Sequence, residues 1–327
     1  MFFYLQSKVY DAMRPLFTLF FLLLLISCRQ TPTDRASAET TAAVPADTVD
    51  SAVVKFPLPQ VPALLTGAEE RLGYALKHFW EAYDFADTTA HNRAVGEQGM
   101  ADFIGLLDMA SGSLAEESIK KYLAACMSDQ SSRAYHTTLV RHYLGNPDSP
   151  LRNDALYERF LVLSKRYYTA DDVAERERCA FELEMLRLNR VGTLAADFTF
   201  VSRDGSRSRL YNIDSPYTLI IFTDPTCDKC QQQLPQMIGQ KLLSHPDLAV
   251  VALYPDEDVD SWQQHPKALP AHWIDAYSPE GEVMSTPLYY LPALPSLYLL
   301  DAEKHVLLRD ASVAELLQYL TAHLPQQ

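Results

Sequence analysis

Apolar residues recur every three or four positions through most of the chain between residues 56 and 190. Stretches with this spacing can bury one face of an α-helix. They run from Ala68 to Phe85, Ala94 to Met109, Leu114 to Met127, Tyr135 to Leu144, Asp154 to Tyr168 and Asp171 to Leu188. A proline-containing break, Asn146-Pro147-Asp148-Ser149-Pro150, separates two of them. The spacing predicts an all-helical domain over residues 56–190.

Short apolar runs replace the helical spacing after Asn189. Residues 197–201 alternate between polar and apolar, and Asp204-Gly205 is typical of a hairpin turn. Further runs predict buried strands at residues 219–222, 249–253 and 296–300 and helices at residues 230–243 and 313–323. Apolar strands that alternate with helices favour a sheet covered on both faces. We therefore expect an α+β multidomain chain, in which the helical domain precedes an α/β domain with a central mixed sheet at residues 191–327.

The chain begins with a segment that resembles a bacterial lipoprotein signal peptide, residues 1–27. Its apolar run from Leu16 to Ile26 is shorter than the roughly 20 residues that a membrane span needs. The run ends in Leu25-Ile26-Ser27-Cys28, which resembles a lipobox. That resemblance implies cleavage before Cys28 and a diacylglycerol on its sulfur. An uncleaved anchor helix is the alternative.

Residues 28–55 are rich in Thr, Ala, Ser, Asp and Pro and have no periodic apolar positions. This composition predicts a flexible tether from the lipidated Cys28 to the fold. We expect the protein to be lipid-anchored in the cell envelope and to face the periplasm, where disulfides persist. Arg29 stands where an aspartate would retain a lipoprotein in the inner membrane, which favours the outer membrane.

The charge balance argues against one class of partner. The chain has 28 Lys and Arg against 42 Asp and Glu, a net charge of −14. Such a surface repels a phosphate backbone, so we expect no nucleic-acid partner. Glycine-rich phosphate loops, G-x-S-x-G elbows and H-E-x-x-H segments are also absent from the sequence.

The strongest chemical motif is Cys227-Asp228-Lys229-Cys230, which follows a predicted buried strand where a helix should begin. Unpaired N–H groups at a helix start favour a thiolate, the attacking species in disulfide exchange. We expect Cys227 to attack and Cys230, one turn along, to resolve the mixed disulfide. Lys229 should favour the Cys227 thiolate and Asp228 should oppose it. A static disulfide and half a zinc site are the alternatives, although no second CxxC or HxxxH supplies the remaining zinc ligands.

Residues 191–327 resemble the TlpA/ResA-like branch of the thioredoxin superfamily. The resemblance rests on the entry segment at residues 195–198, the CxxC after an apolar strand, and Pro235 five residues beyond Cys230. It also rests on Leu294-Pro295-Ser296, which stand where the family has its cis-proline. Two positions depart from the family, because Thr226 replaces an aromatic residue and Ile221 replaces a buried acid.

This resemblance implies thiol–disulfide exchange with protein thiols or disulfides of the cell envelope. Pro295 would face the cysteines, and the backbone of Leu294 would contact an extended substrate. No dissociable cofactor is implied, because the cysteines carry the electrons, and an unidentified redox partner must recharge them. The helical half resembles a domain of unknown function found upstream of such modules in Gram-negative lipoproteins. A non-catalytic binding or scaffold lipoprotein with a structural disulfide is the alternative function.

Two further patterns have simpler explanations. Asp256, Asp258 and Asp260 have calcium-loop spacing, but Ser261 and Lys267 occupy the required glycine and glutamate positions, so we expect a solvated acidic loop. The aromatic residues Phe79, Trp80, Tyr83 and Phe85 have helical spacing, which predicts core packing rather than a ligand platform.

The remaining cysteines and two nearby histidines are also expected to be structural. Cys126 and Cys179 lie in different helical stretches and are predicted to be small core residues, with a disulfide between them or a role as regulatory thiols as the alternatives. His136 and His142 are six residues apart and so face different sides of a helix. This spacing argues against a shared metal ion, and we expect no metal site.

Overall fold

The structure, a computed structural model, describes residues 55–265 and 269–325. The predicted signal peptide, the lipidation of Cys28 and the tether up to residue 54 lie outside these residues and stay predictions. In the described part of the chain, no helix is both long enough and apolar enough to cross a membrane.

The first half of the described chain is helical, as predicted. Its helices are α1 (Ala68–His78), α2 (Ala90–Asp108), α3 (Gly112–Cys126), α4 (Gln130–Val140), α5 (Asp154–Ser164) and α6 (Val173–Arg187). Side-chain caps fix several starts: Thr89 accepts from the Asn92 N–H, and Asn153 accepts from the Leu156 N–H. Helix α4 continues into a π-helical turn, Arg141–Gly145, before the predicted break.

An aromatic cluster forms the core of this helical region. Phe79, Trp80 and Tyr83 are buried, and Phe85 packs against them, which confirms the core interpretation. The ring of Phe56, which precedes α1, stacks on that of Phe79 with centroids 4.8 Å apart. Edge-to-face and offset ring contacts stabilise the core beyond what the burial of apolar area alone contributes.

A seven-stranded mixed sheet forms the second half, which confirms the predicted fold class. Its strands are β1 (Thr199–Ser202), β2 (Arg207–Arg209), β3 (Tyr217–Phe222), β4 (Leu248–Tyr254), β5 (Ile274–Tyr277), β6 (Ser296–Leu300) and β7 (Val306–Arg309). Their order is β2-β1-β5-β4-β3-β6-β7, with β3, β4 and β5 parallel and the other pairs antiparallel. The helices are α7 (Asp228–Ile238), α8 (Val259–Gln264), α9 (Glu282–Ser285) and α10 (Val313–His323).

Strand β3 explains why both faces of the sheet are covered. Leu219 and Ile221 pack in one cluster with Leu234 of α7 and Leu316 of α10. The alternate residues, including Phe222, pack on the other face in a cluster with aromatic side chains such as Phe198 and Tyr289. A strand buried on both faces has a continuous apolar sequence rather than an alternating one.

The helical region and the α/β domain belong to one compact unit and contact each other directly. The Asn189 side chain donates to the carbonyl of Leu288 at 2.6 Å and accepts from the N–H of Ala196 at 2.7 Å. Arg309 of β7 donates to the carbonyl of Leu186 at 2.7 Å. These bonds fix the connection between α6 and β1.

Candidate redox site

Cys227 occupies the N-cap of α7, which confirms the predicted start of this helix after strand β3. Its Sγ accepts a hydrogen bond from the backbone N–H of Cys230 at 3.4 Å. The approach to the helix is fixed by Asp224, whose carboxylate accepts from the N–H of Thr226 at 2.6 Å and from its hydroxyl at 2.7 Å. These bonds hold the Cys227 sulfur at the start of the helix.

The two cysteines differ in exposure. Cys227 is half-buried and Cys230 is fully buried, and both are free thiols in this structure. Burial raises the pKa of Cys230 to about 11; hydrogen bonds from the Asp224 backbone and the Thr223 side chain oppose this rise, and the adjacent Cys227 adds to it. Cys230 therefore stays protonated at neutral pH while Cys227 is open to a substrate.

The predicted cis-proline segment lies against the attacking sulfur. The Leu294–Pro295 peptide bond is cis, as the resemblance implies. The thiol of Cys227 donates to the carbonyl of Leu294, with sulfur and oxygen 3.4 Å apart. Sheet topology accounts for this proximity, because Phe222 at the end of β3 pairs with Ser296 at the start of the antiparallel β6. The chain thus leaves β3 toward the cysteines at the same sheet edge where it enters β6 from Pro295.

The helical region contributes a side chain to this site that sequence reasoning missed. Lys229, between the two cysteines, forms an ion pair with Asp148 in the break between α4 and α5. The partners are 81 positions apart in the sequence. No local pattern marks such a contact, although the proline-containing break was recognised as a loop.

A second set of ion pairs joins the same break to the strands beside Pro295. Arg152 contacts Asp310 at 2.5 Å, and the same carboxylate accepts from the hydroxyl of Ser296 at 2.6 Å. Arg309 contacts Asp154 at 2.6 Å. The side chain of Asp310 is only 8% exposed, and this burial raises its pKa, whereas Arg152 lowers it.

Four other residues that the sequence analysis singled out are buried in the fold. Ile221, at the position of the family's buried acid, is fully buried in the sheet. Cys126 and Cys179 are buried free thiols in the helical core, and the Cys179 thiol donates to the carbonyl of Leu161 at 3.4 Å. His136 is also buried, and its Nδ1 lies 2.9 Å from the Tyr122 hydroxyl. Among the described residues, no three His, Cys, Asp or Glu side chains gather as metal ligands would.

The acidic loop after β4 makes local bonds. Asp256 accepts from the N–H of Glu257 at 2.7 Å, and Asp258 caps α8 by accepting from the N–H of Ser261. These bonds fit the predicted solvated loop, although Lys267, part of the calcium comparison, lies outside the described residues.

Comparison with known proteins supports the fold described above. Residues 27–189 match a family described as a domain of unknown function, DUF5106. A solved structure of a thioredoxin-like protein from Bacteroides caccae is 32% identical, with a TM-score of 0.73, and the match covers 82% of this chain and 98% of that one.

Two other solved structures match a smaller share of the chain. The C-terminal domain of an uncharacterized protein from Bacteroides fragilis is 34% identical over 41% of this chain and 98% of its own, with a TM-score of 0.39. The thioredoxin domain of a thiol-disulfide oxidoreductase from Bacteroides vulgatus is 16% identical over 42% of this chain and 99% of its own, with a TM-score of 0.37. No curated protein sequence matches the chain.

Proposed function

Because the chain belongs to the thioredoxin-like family, we propose that it is a thiol–disulfide oxidoreductase acting on exported proteins. The observation that supports this most directly is the half-buried Cys227, which caps α7 and contacts the carbonyl of Leu294. A half-buried cysteine at a helix start lies beside backbone N–H groups and is open to a substrate. Fold alone would not support an activity, whereas this arrangement of reactive groups does.

The proposed reaction needs only the two cysteines and a substrate disulfide. The Cys227 thiolate attacks one substrate sulfur, which breaks the substrate disulfide, forms a mixed disulfide and releases a first substrate thiolate. The Cys230 thiol then loses its proton to solvent, and its thiolate attacks the Cys227 sulfur. This step releases the second substrate thiolate and leaves a Cys227–Cys230 disulfide. The same steps in reverse oxidise a substrate dithiol.

Leu294 and Pro295 are proposed to orient the substrate. The carbonyl of Leu294 is already in contact with the Cys227 sulfur. An extended substrate chain that pairs with this backbone would bring its own sulfur to the same place. The electrons travel on the cysteines, so no dissociable cofactor is required, and a separate redox partner must restore the starting state of the pair.

We further propose that Cys28 carries a lipid anchor and that the protein works on the periplasmic side of the cell envelope, with the outer membrane favoured. Membrane fractionation of cells expressing the full chain tests this. The wild-type protein should fractionate with membranes, and Cys28→Ala should release it or leave the signal peptide uncleaved. An unchanged membrane fraction of correctly processed Cys28→Ala would contradict the lipid anchor.

A redox titration tests the activity itself. The soluble chain from residue 29 would be equilibrated in glutathione and dithiothreitol buffers, and the states of Cys227 and Cys230 would be read by thiol trapping and mass spectrometry. A reversible midpoint between about −270 and −120 mV is expected for a working oxidoreductase. A pair that stays oxidised below about −300 mV would identify a structural disulfide and favour a scaffold role.

Trapping gives an independent measurement in cells. Cys230→Ser should accumulate mixed disulfides with protein substrates, because the resolving thiol is lost. Cys227→Ser is the matched control and should accumulate none. If well-expressed Cys230→Ser yields no mixed disulfides beyond the control, the oxidoreductase proposal fails.

A further inference from the structure

One short part of the helical region reaches both sides of the redox site. We call residues 146–154 the bridging segment. Its ion pairs join Asp148 to Lys229 on α7, Arg152 to Asp310 beside β7, and Asp154 to Arg309 on β7. The segment thus contacts the helix that carries the cysteines and the strand next to the one that follows Pro295.

The bridging segment is well fixed in place. Prolines at 147 and 150 restrict its backbone. The N–H of Asp148 donates to the Asn146 side chain at 3.0 Å, and the hydroxyl of Ser149 donates to the carbonyl of Tyr143 at 2.7 Å. The side chains of Arg309 and Asp310 are each only 8% exposed, so its anchors on the α/β domain are largely shielded from water. The backbone at Asp148 is therefore held in place beside Lys229.

The position of Lys229 gives this ion pair a chemical consequence. Lys229 lies two residues from Cys227 in the chain, and a nearby cation favours a thiolate. Asp148 pairs with that cation and also brings its own negative charge to the site. We propose that Asp148 is a positioning residue, through which the helical region holds Lys229 and weakens its support of the Cys227 thiolate.

This inference rests on the proposed function in that Cys227 is taken as the attacking group. The charged or titratable groups around it on its own segment are Asp224, Asp228, Lys229 and Cys230. The bridging segment adds Asp148. The residues that precede β6, Leu291-Pro292-Ala293-Leu294-Pro295, have no charged side chain. Asp148 is thus the charged group that the helical region supplies to the site.

The sign of the effect follows from these charges. Asp148→Asn keeps the side-chain shape and removes the negative charge, so Lys229 acts on Cys227 without its counter-ion. The thiolate is then more stable, so Cys227 should be alkylated about two- to five-fold faster at a pH below the midpoint of its alkylation curve, on the scale of an exposed ion pair. A more stable thiolate favours the reduced pair, so the equilibrium constant for reducing the disulfide should rise about two- to five-fold at a pH where Cys227 is ionised.

The test is a titration of Cys227 in the soluble chain from residue 29. The rate of iodoacetamide alkylation would be measured against pH, with mass spectrometry to assign the modification to Cys227. Asp148→Asn should lower the pH midpoint of alkylation. Asp148→Glu, which keeps the charge, should have the wild-type midpoint, and so should the exposed control Asp171→Asn. The shift should shrink in 1 M salt, because exposed charges are screened.

A double-variant cycle tests whether Asp148 acts through Lys229. Lys229→Gln should raise the midpoint, and adding Asp148→Asn to it should produce a smaller shift than Asp148→Asn alone. Equal shifts in both backgrounds, or none for Asp148→Asn, would overturn the inference. Circular dichroism of each variant shows whether the fold is retained, and Asp148→Ser, which also removes the negative charge, keeps the test decisive if Asp148→Asn folds poorly.

The alkylation midpoint is measured without any redox cycle, which separates this inference from the proposed function. If the wild-type pair cycles reversibly but Asp148→Asn has the wild-type midpoint, the inference fails and the oxidoreductase proposal stands. If the midpoint shifts as expected but the pair does not cycle, the inference stands and the oxidoreductase proposal fails.

Discussion

Replacing Arg152 with Met should destabilise the protein by leaving a buried carboxylate without its cation. Arg152 is 18% exposed and Asp310 is 8% exposed, and their side chains meet at 2.5 Å. Removing one partner of a buried ion pair costs about 3–5 kcal/mol. Asp310 keeps its hydrogen bond from Ser296, so we expect the lower end, about 3 kcal/mol. Met fills much of the volume of Arg, which limits any contribution from a cavity.

The loss of folding stability in Arg152→Met should also depend on pH. Burial raises the pKa of Asp310 and Arg152 lowers it, so this pKa should rise further in Arg152→Met. A carboxyl whose folded pKa lies above its unfolded value favours folding below the unfolded pKa, and this contribution is lost as pH rises through the folded pKa. Arg152→Met should therefore lose more stability relative to wild type at pH 8 than at pH 5.

Urea unfolding followed by tryptophan fluorescence would measure both effects. The double variant Arg152→Met with Asp310→Asn removes the orphaned charge and should recover most of the lost free energy of unfolding at pH 8. The exposed Arg178→Met is a control for removing a surface arginine, and it should change stability by less than about 1 kcal/mol. A loss that is the same at both pH values, with no recovery in the double variant, would refute the assignment of the cost to the Asp310 charge.

Two further predictions concern packing and thiol reactivity. Gly99→Ala on α2 should cost about 1–3 kcal/mol in thermal or urea unfolding, because a Cβ there overlaps the ring of Phe56. Gly105→Ala, on the same helix with open space at its Cβ, should instead stabilise by about 0.5–1 kcal/mol; equal effects would contradict the packing argument. At pH 7, iodoacetamide should alkylate Cys227 and spare Cys230, whose pKa is about 11; peptide mapping that finds Cys230 modified first would contradict the proposed roles.

The sequence predicts the redox site well where local chemistry defines it. Strand β3 ends in four consecutive apolar residues, 219–222, and its helix begins at a cysteine that can act as a cap, so a few neighbouring residues locate Cys227. The strand starting at Ser296 is equally apolar, and its bounds match the structure. Helix ends are predicted less well: the apolar spacing from residue 68 continues to Phe85, but α1 ends at His78. Aromatic side chains in the turns after α1 keep the same spacing because they pack in the same core.

Strands without a strong apolar pattern were missed. Strand β2 has the sequence Arg-Ser-Arg and lies at the sheet edge, where its outer residues are exposed. Strand β5 contains Asp275, a polar residue in an interior strand. Its carboxylate accepts from the Trp262 indole N–H at 3.1 Å and pairs with Arg203 at 2.5 Å. These partners come from distant segments, so the sequence alone does not show that an aspartate can be satisfied there.

The role of the helical region is the largest gap between sequence and structure, and the ion pairs explain why. Asp148 and Arg152 lie in the loop before α5 and Asp154 is the first residue of that helix, positions where a sequence pattern predicts solvated side chains. Each nevertheless pairs with a side chain of the α/β domain, and the pair nearest the cysteines is also the most exposed. An isolated α/β domain would retain Cys227, Cys230 and Pro295 but would lose the counter-ion of Lys229. Under the proposed chemistry, which depends on the charge near Cys227, the helical region would contribute to the redox site as well as to the fold.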